Sequence, residues 1–134
     1  LLLTTDLLVG YDPTYKVNPP LRPSEDVEAL RVALADGTID AVATDHAPHA
    51  RHDKEHAFVD AAFGMLGLET ALAVVRTALP DLGWDEIARV MSAAPARIAG
   101  LSDHGSLDVG MPAHVVLVEA DASVTVDRAD SVSL

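Results

Sequence analysis

Thirteen consecutive residues, Val42-Ala43-Thr44-Asp45-His46-Ala47-Pro48-His49-Ala50-Arg51-His52-Asp53-Lys54, hold three histidines, two aspartates and a lysine. Asp45 follows an apolar run and faces what reads as a loop. A carboxylate there can ligate a hard or borderline cation and shuttle a proton to or from a water. A turn aspartate would look the same, because Asp is common where a chain reverses. His46 and His49 are three apart, but Pro48 between them opposes a helix, so they point in different directions. Each can be a metal ligand, a hydrogen-bond donor to a substrate, or a polar loop residue. His52 and His56 sit four apart among Arg51, Asp53, Lys54 and Glu55. They would chelate only on a helix, and a solvated charged face explains them as well.

A second constellation is Lys16-Val17-Asn18-Pro19-Pro20-Leu21-Arg22. The proline pair stiffens the chain and fixes where Asn18 presents an amide that both donates and accepts. Phe63-Gly64 offers backbone N–H and C=O groups, with a glycine that lets a ligand approach closely. His104 and His114 have no acidic or histidine partner at ligand spacing and receive no role. No Ser-His-Asp arrangement and no phosphate-cradling glycine loop is visible.

These residues need elements to hold them. Residues 1–23 are irregular, broken by Gly10, Pro13, Pro19, Pro20 and Pro23. Ser24 reads as the N-cap of a helix whose first turn carries Glu25, Asp26 and Glu28 and whose stripe is Val27, Leu30 and Leu34, ended by Gly37. Ile39–Thr44 reads as a short buried strand, which puts the polar cluster at a strand's carboxyl end, where α/β folds bind ligands. Residues 50–66 form a charged loop. Helices are predicted over 68–79, over Trp84–Met91, and from Pro95 to about Ile98. After Gly100 the pattern changes: Gly110-Met111-Pro112 is a turn, His114–Glu119 a strand, and Ser123–Val126 its hairpin partner.

The 134 residues allow one modest core, and a content 49% hydrophobic but only 4% aromatic makes that core aliphatic. A net charge of −12 opposes phosphate backbones and anionic lipid, which argues against nucleic acid and membrane-surface partners. With no cysteine there is no disulfide, thiolate nucleophile or Cys-type zinc site, which fits a cytoplasmic protein. The chain starts on Leu1-Leu2-Leu3 without Met and stops at Ser133-Leu134, and both ends read as cuts through a longer protein.

Ala43-Thr44-Asp45-His46-Ala47-Pro48-His49, with Lys54 after it, resembles the signature of the dihydroorotase family. Val17-Asn18-Pro19-Pro20-Leu21-Arg22 resembles that family's upstream substrate loop. Phe63-Gly64-Met65-Leu66-Gly67-Leu68-Glu69-Thr70-Ala71-Leu72 resembles its downstream segment. The likeness continues through Pro95-Ala96-Arg97-Ile98 and residues 105–118.

The resemblance implies an α/β fold: the C-terminal part of a (β/α)8 barrel of the amidohydrolase type over residues 1–103, and part of a small β domain over 104–134. It implies a zinc-dependent hydrolase, with a binuclear Zn2+ centre, that interconverts dihydroorotate and N-carbamoyl-L-aspartate in pyrimidine synthesis. Asp45 would be metal ligand and general acid/base, while Asn18, His49, Phe63 and Gly64 would hold the substrate. The small-molecule substrate is then the main partner, and a homo-oligomer or a complex with aspartate transcarbamoylase stays open. Two rivals stand beside this reading: a sister enzyme such as dihydropyrimidinase or allantoinase, and a non-catalytic relative that partners aspartate transcarbamoylase. Asn18 and His49 favour dihydroorotase, whose acidic substrate needs donors around its carboxylate. The pattern departs from the family in three ways. Its remaining metal ligands all precede the matched region, a barrel needs ~250 residues, and His114 stands where relatives commonly have Asp. The stretch alone is therefore expected to be inactive.

Overall fold

The computed structural model describes residues 1–133. Five α-helices occur among them: α1 (Ser24–Ala35), α2 (Arg51–Lys54), α3 (Ala71–Ala78), α4 (Trp84–Ala88) and α5 (Ala94–Ile98). A π-helical turn, Arg89–Ala93, joins α4 to α5, and single 3-10 turns lie at Thr5–Leu8, Pro13–Tyr15 and Arg128–Asp130. The longest helix has 12 residues, and among the described residues no helix is long and apolar enough to cross a membrane.

α1 forms where the acidic first turn and apolar spacing predict. Glu25 and Asp26 sit near the positive end of its dipole, and Val27 and Leu34, seven apart, are buried on one face. It ends as expected, with Gly37 in the left-handed region at φ 83°. Ser24 is not its cap. Pro23 takes the cap position, and the Ser24 hydroxyl turns to Glu25 Oε2 at 3.1 Å.

The core is aliphatic, built around Val27, Leu34, Val75, Ile87, Val90 and Ala94. Val75 and Val90 are sealed off, each contributing about 1.5–3 kcal/mol by leaving water. The π turn has a local cause. The N–H of Ala94 reaches back to the Arg89 carbonyl, and the next residue, Pro95, has no N–H to give. The Val90 carbonyl is left without a helical donor and accepts from Val42 N at 2.9 Å. That bond pins the segment before Asp45 to the π turn between α4 and α5.

The expected strands are not formed. Ile39–Thr44, His114–Glu119 and Ser123–Val126 run as irregular backbone outside any ladder, and the one bridge among the described residues is parallel, Thr4 to Arg22. β-Branched sequence favours extended backbone, but a strand exists only when a neighbour pairs its N–H and C=O groups. No described segment supplies that neighbour. The second run is accordingly exposed, with Val116 at 85% and Leu117 at 100%. The helix expected over 68–79 starts at Ala71, and the one expected over Trp84–Met91 passes into the π turn after Ala88.

Candidate active site

Two loops lie side by side at the end of the segment that Val90 pins. Residues 44–49 carry the aspartate and two histidines, and residues 63–68 run along them. Ala47 N donates to Met65 O at 3.1 Å. The Nδ1 atom of His46 accepts from the N–H groups of Gly67 (3.2 Å) and Leu68 (3.1 Å), which places the ring proton on Nε2. His49 donates through Nε2 to the Phe63 carbonyl at 2.7 Å. Each histidine thus ties the first loop to the second, His46 at Gly67 and Leu68 and His49 at Phe63.

Gly64 is needed where these ties are closest. Its φ is 142°, and a Cβ there would stand 2.7 Å from both Cβ and O of Ala47 and 2.9 Å from His49 Nε2. Asp45 lies in the left-handed region at φ 45° with an exposed side chain. That conformation costs an L-residue roughly 1–2 kcal/mol, least for Asp and Asn. Here the His46 N–H, bonded to Thr44 Oγ1 at 3.3 Å, helps fix the turn that holds it.

A third segment closes the site from below. Gly64 N donates to Lys16 O at 3.0 Å. The Lys16 ammonium is buried, donating to Val59 O at 2.8 Å with its charge 4.4 Å from the Phe63 ring centre. Lys54, at the end of α2, donates to the carbonyls of Lys16, Ala62 and Gly64. Burial, then the neighbouring Lys16 charge, holds the Lys54 pKa below the ordinary lysine value, and Asp12 opposes them.

A groove of about 790 Å³ opens here, lined among others by Asp12, His49, Lys54, Gly64, Met65 and Ser131. Of the expected site residues it brings together His49 and Gly64. Phe63 borders them through its carbonyl, with its side chain 56% exposed. Asp45 and Asn18 are exposed and do not line the groove. Asn18 sits two residues beyond the buried Lys16.

Glu69 was not singled out from the sequence. Its carboxylate accepts from Ser133 N (2.9 Å), Val132 N (3.2 Å) and Ser131 Oγ (3.0 Å), bonds that hold its pKa down at about 2. Only those long-range contacts reveal it. Lys16 and Lys54 stand within the motifs, but the sequence assigns them no role, since their partners are backbone carbonyls, which carry no residue type. His104 and His114, given no role from the sequence, lie against each other. His104 contacts Asp103 Oδ1 at 2.6 Å and stacks on His114 with ring centres 5.1 Å apart, so the partner is the adjacent aspartate. His52 is exposed and His56 lies beyond the single turn of α2, so the two do not chelate.

The fit of a metal can be tested on these residues. Among the described residues no three His, Asp or Glu side chains stand close enough to hold an ion. Among the described residues a complete metal centre therefore does not fit.

A sequence model of the amidohydrolase family matches residues 17–132. The chain is 58% identical over 127 residues to a dihydroorotase of Leifsonia xyli subsp. xyli, covering 92% of this chain and 29% of that protein. It is 54% identical over 137 residues to a dihydroorotase of Mycobacterium tuberculosis, covering 99% and 32%. Among solved structures it is similar to the L-hydantoinase (dihydropyrimidinase) of Arthrobacter aurescens, with TM-score 0.70, 35% identity and coverage of 83% and 26%. The D-hydantoinase (dihydropyrimidinase) of a Thermus species gives TM-score 0.69 and 29% identity, covering 75% and 24%. The chain therefore spans about a third or less of the length of the relatives it matches.

Proposed function

Because the chain belongs to the amidohydrolase family, we propose that it is the C-terminal part of a dihydroorotase, which reversibly hydrolyses (S)-dihydroorotate to N-carbamoyl-L-aspartate in pyrimidine synthesis. The observation that carries this reading is the identity to proteins named dihydroorotase over more than nine-tenths of the chain, well above that to the two hydantoinase structures. In this reading residues 1–103 belong to a (β/α)8 barrel, 104–134 to a small β domain, and the enzyme is cytoplasmic. The unpaired run Ile39–Thr44 and the exposed Val115, Val116 and Leu117 would find their strand partners in the rest of a chain of the relatives' length. Zinc ligands other than Asp45 would come from there as well. A homo-oligomer or a complex with aspartate transcarbamoylase would also be built by that longer chain.

The chemistry assigned to this chain's own residues is ring opening of a cyclic amide. Water adds to the ring carbonyl, the C–N bond breaks, and the nitrogen gains a proton. Asp45 is the proton carrier, taking a proton from the attacking water and delivering it to the leaving nitrogen, with the reverse on ring closure. Its carboxylate is exposed on a loop whose backbone turn holds it at positive φ. The Asn18 amide donates to the neighbouring carboxylate of the substrate, and the edge formed by His49 and the backbone at Phe63 and Gly64 bounds the substrate beside it.

The test is substrate choice by the full-length protein. Dihydroorotate should be opened with kcat/KM on the order of 10²-fold above that for dihydrouracil, which lacks the carboxylate, because unpaired site donors penalise the analogue. Preference for dihydrouracil or a hydantoin would move the assignment to the sister enzymes that the structural neighbours represent.

A further inference from the structure

We infer that Lys54 is a positioning residue of this site: its ammonium gathers three backbone carbonyls and so sets the Phe63–Gly64 edge against His49. This deepens the dihydroorotase reading and rests on it for its kinetic readout. The three carbonyls are those of Lys16 at 3.2 Å, Ala62 at 3.0 Å and Gly64 at 2.9 Å. They come from two segments, 38 and 8 to 10 residues away in sequence. The groups they flank are those proposed to meet the substrate.

A lysine lining a groove for an anionic substrate invites another reading, a direct contact with the carboxylate. The donor count speaks against it. An ammonium has three N–H donors and no acceptor, and Lys54 spends all three on backbone. What it does for the site is electrostatic and geometric. Three converging carbonyl dipoles repel one another and are costly to leave unpaired out of water, and a point charge at their centre offsets both effects. Gly64 is held at both ends, its N–H on Lys16 O and its carbonyl on Lys54, while the Phe63 carbonyl between them receives His49. The single turn α2 aims Lys54 inward, while Arg51 pairs with Glu55 on the exposed side. Arginine replaces it only in part, because its donors are spread over a planar fork instead of one point.

The experiment compares the full-length wild type with Lys54→Met and Lys54→Arg. Steady-state kinetics on dihydroorotate is paired with amide exchange at Gly64. In Lys54→Met, KM should rise on the order of tenfold while kcat stays within about threefold, because alignment is lost and the proton carrier is untouched. Gly64 N–H exchange should quicken by roughly tenfold, with Lys54→Arg between the two. An unchanged KM, or a KM rise with Gly64 exchange as in wild type, would overturn the inference, the latter by making Lys54 a direct substrate contact. If Lys54→Met does not fold, Lys54→Arg carries the same two readouts. If the wild type fails to turn over dihydroorotate, the functional reading falls alone, and Gly64 exchange still decides the role of Lys54.

Discussion

Single residues here act through what they leave no room for. Gly64 is the sharpest case, since an added methyl would enter the space of Ala47 and of His49 Nε2. In full-length Gly64→Ala, at a backbone φ of 142° that L-residues rarely adopt, the Ala47 backbone and the His49 ring must both shift, which disturbs the His49–Phe63 contact. KM for dihydroorotate should then rise about tenfold or more. Steady-state kinetics would check this, and an unchanged KM would mean that the His49–Phe63 contact does not shape the substrate edge. Asp45, His49, Asn18 and Phe63–Gly64 stood out in the sequence because they belong to a recognisable pattern. Of these the structure brings His49 and Gly64 to one groove with Phe63 at its border, while Asp45 and Asn18 stay outside it and their roles rest on the proposed reading. Lys54 gained its role only from geometry, because nothing in a sequence marks which carbonyls converge on an ammonium.

At the level of elements, α1 and α3–α5 were legible, α2 fell in a stretch expected to be a charged loop, and strands were not legible. α1 carries its own instructions: an acidic first turn, buried positions seven apart and a glycine exit. α5 likewise starts around Pro95 as its sequence suggests. The run Ile39–Thr44 has the composition of a strand, but a ladder depends on a second segment that composition cannot specify. The π turn was hidden for a similar reason, since it follows from which donor reaches Arg89 once Pro95 offers none. One element-level tie can be tested by pH. Glu69, two residues before α3, holds residues 131–133 with a carboxylate whose pKa is about 2, below its ordinary 4.5. The bound state therefore favours the charged form. Its contribution is complete above pH 4.5 and is lost as pH falls through about 2. Glu69→Gln should mimic that loss at neutral pH, with faster amide exchange at Val132 and Ser133. Equal rates in the two proteins would show that the carboxylate does not anchor the segment.

For the molecule as a whole, the described residues hold short helices around a small aliphatic core, one loop cluster, and exposed apolar runs outside any ladder. Val116, Leu117 and Val124 are each more than four-fifths exposed, which is costly unless something covers them. The relatives are about three times longer, and in the proposed reading their remaining chain pairs these runs and completes the metal centre. The central claim is that Asp45 carries the proton in cyclic amide hydrolysis. Its most direct test is dihydroorotate turnover by the full-length protein and its Asp45→Ala variant, with folding matched by circular dichroism. The account expects kcat to fall on the order of 10²-fold or more, as for loss of a general acid/base. Retention of more than about a tenth of wild-type turnover would contradict it.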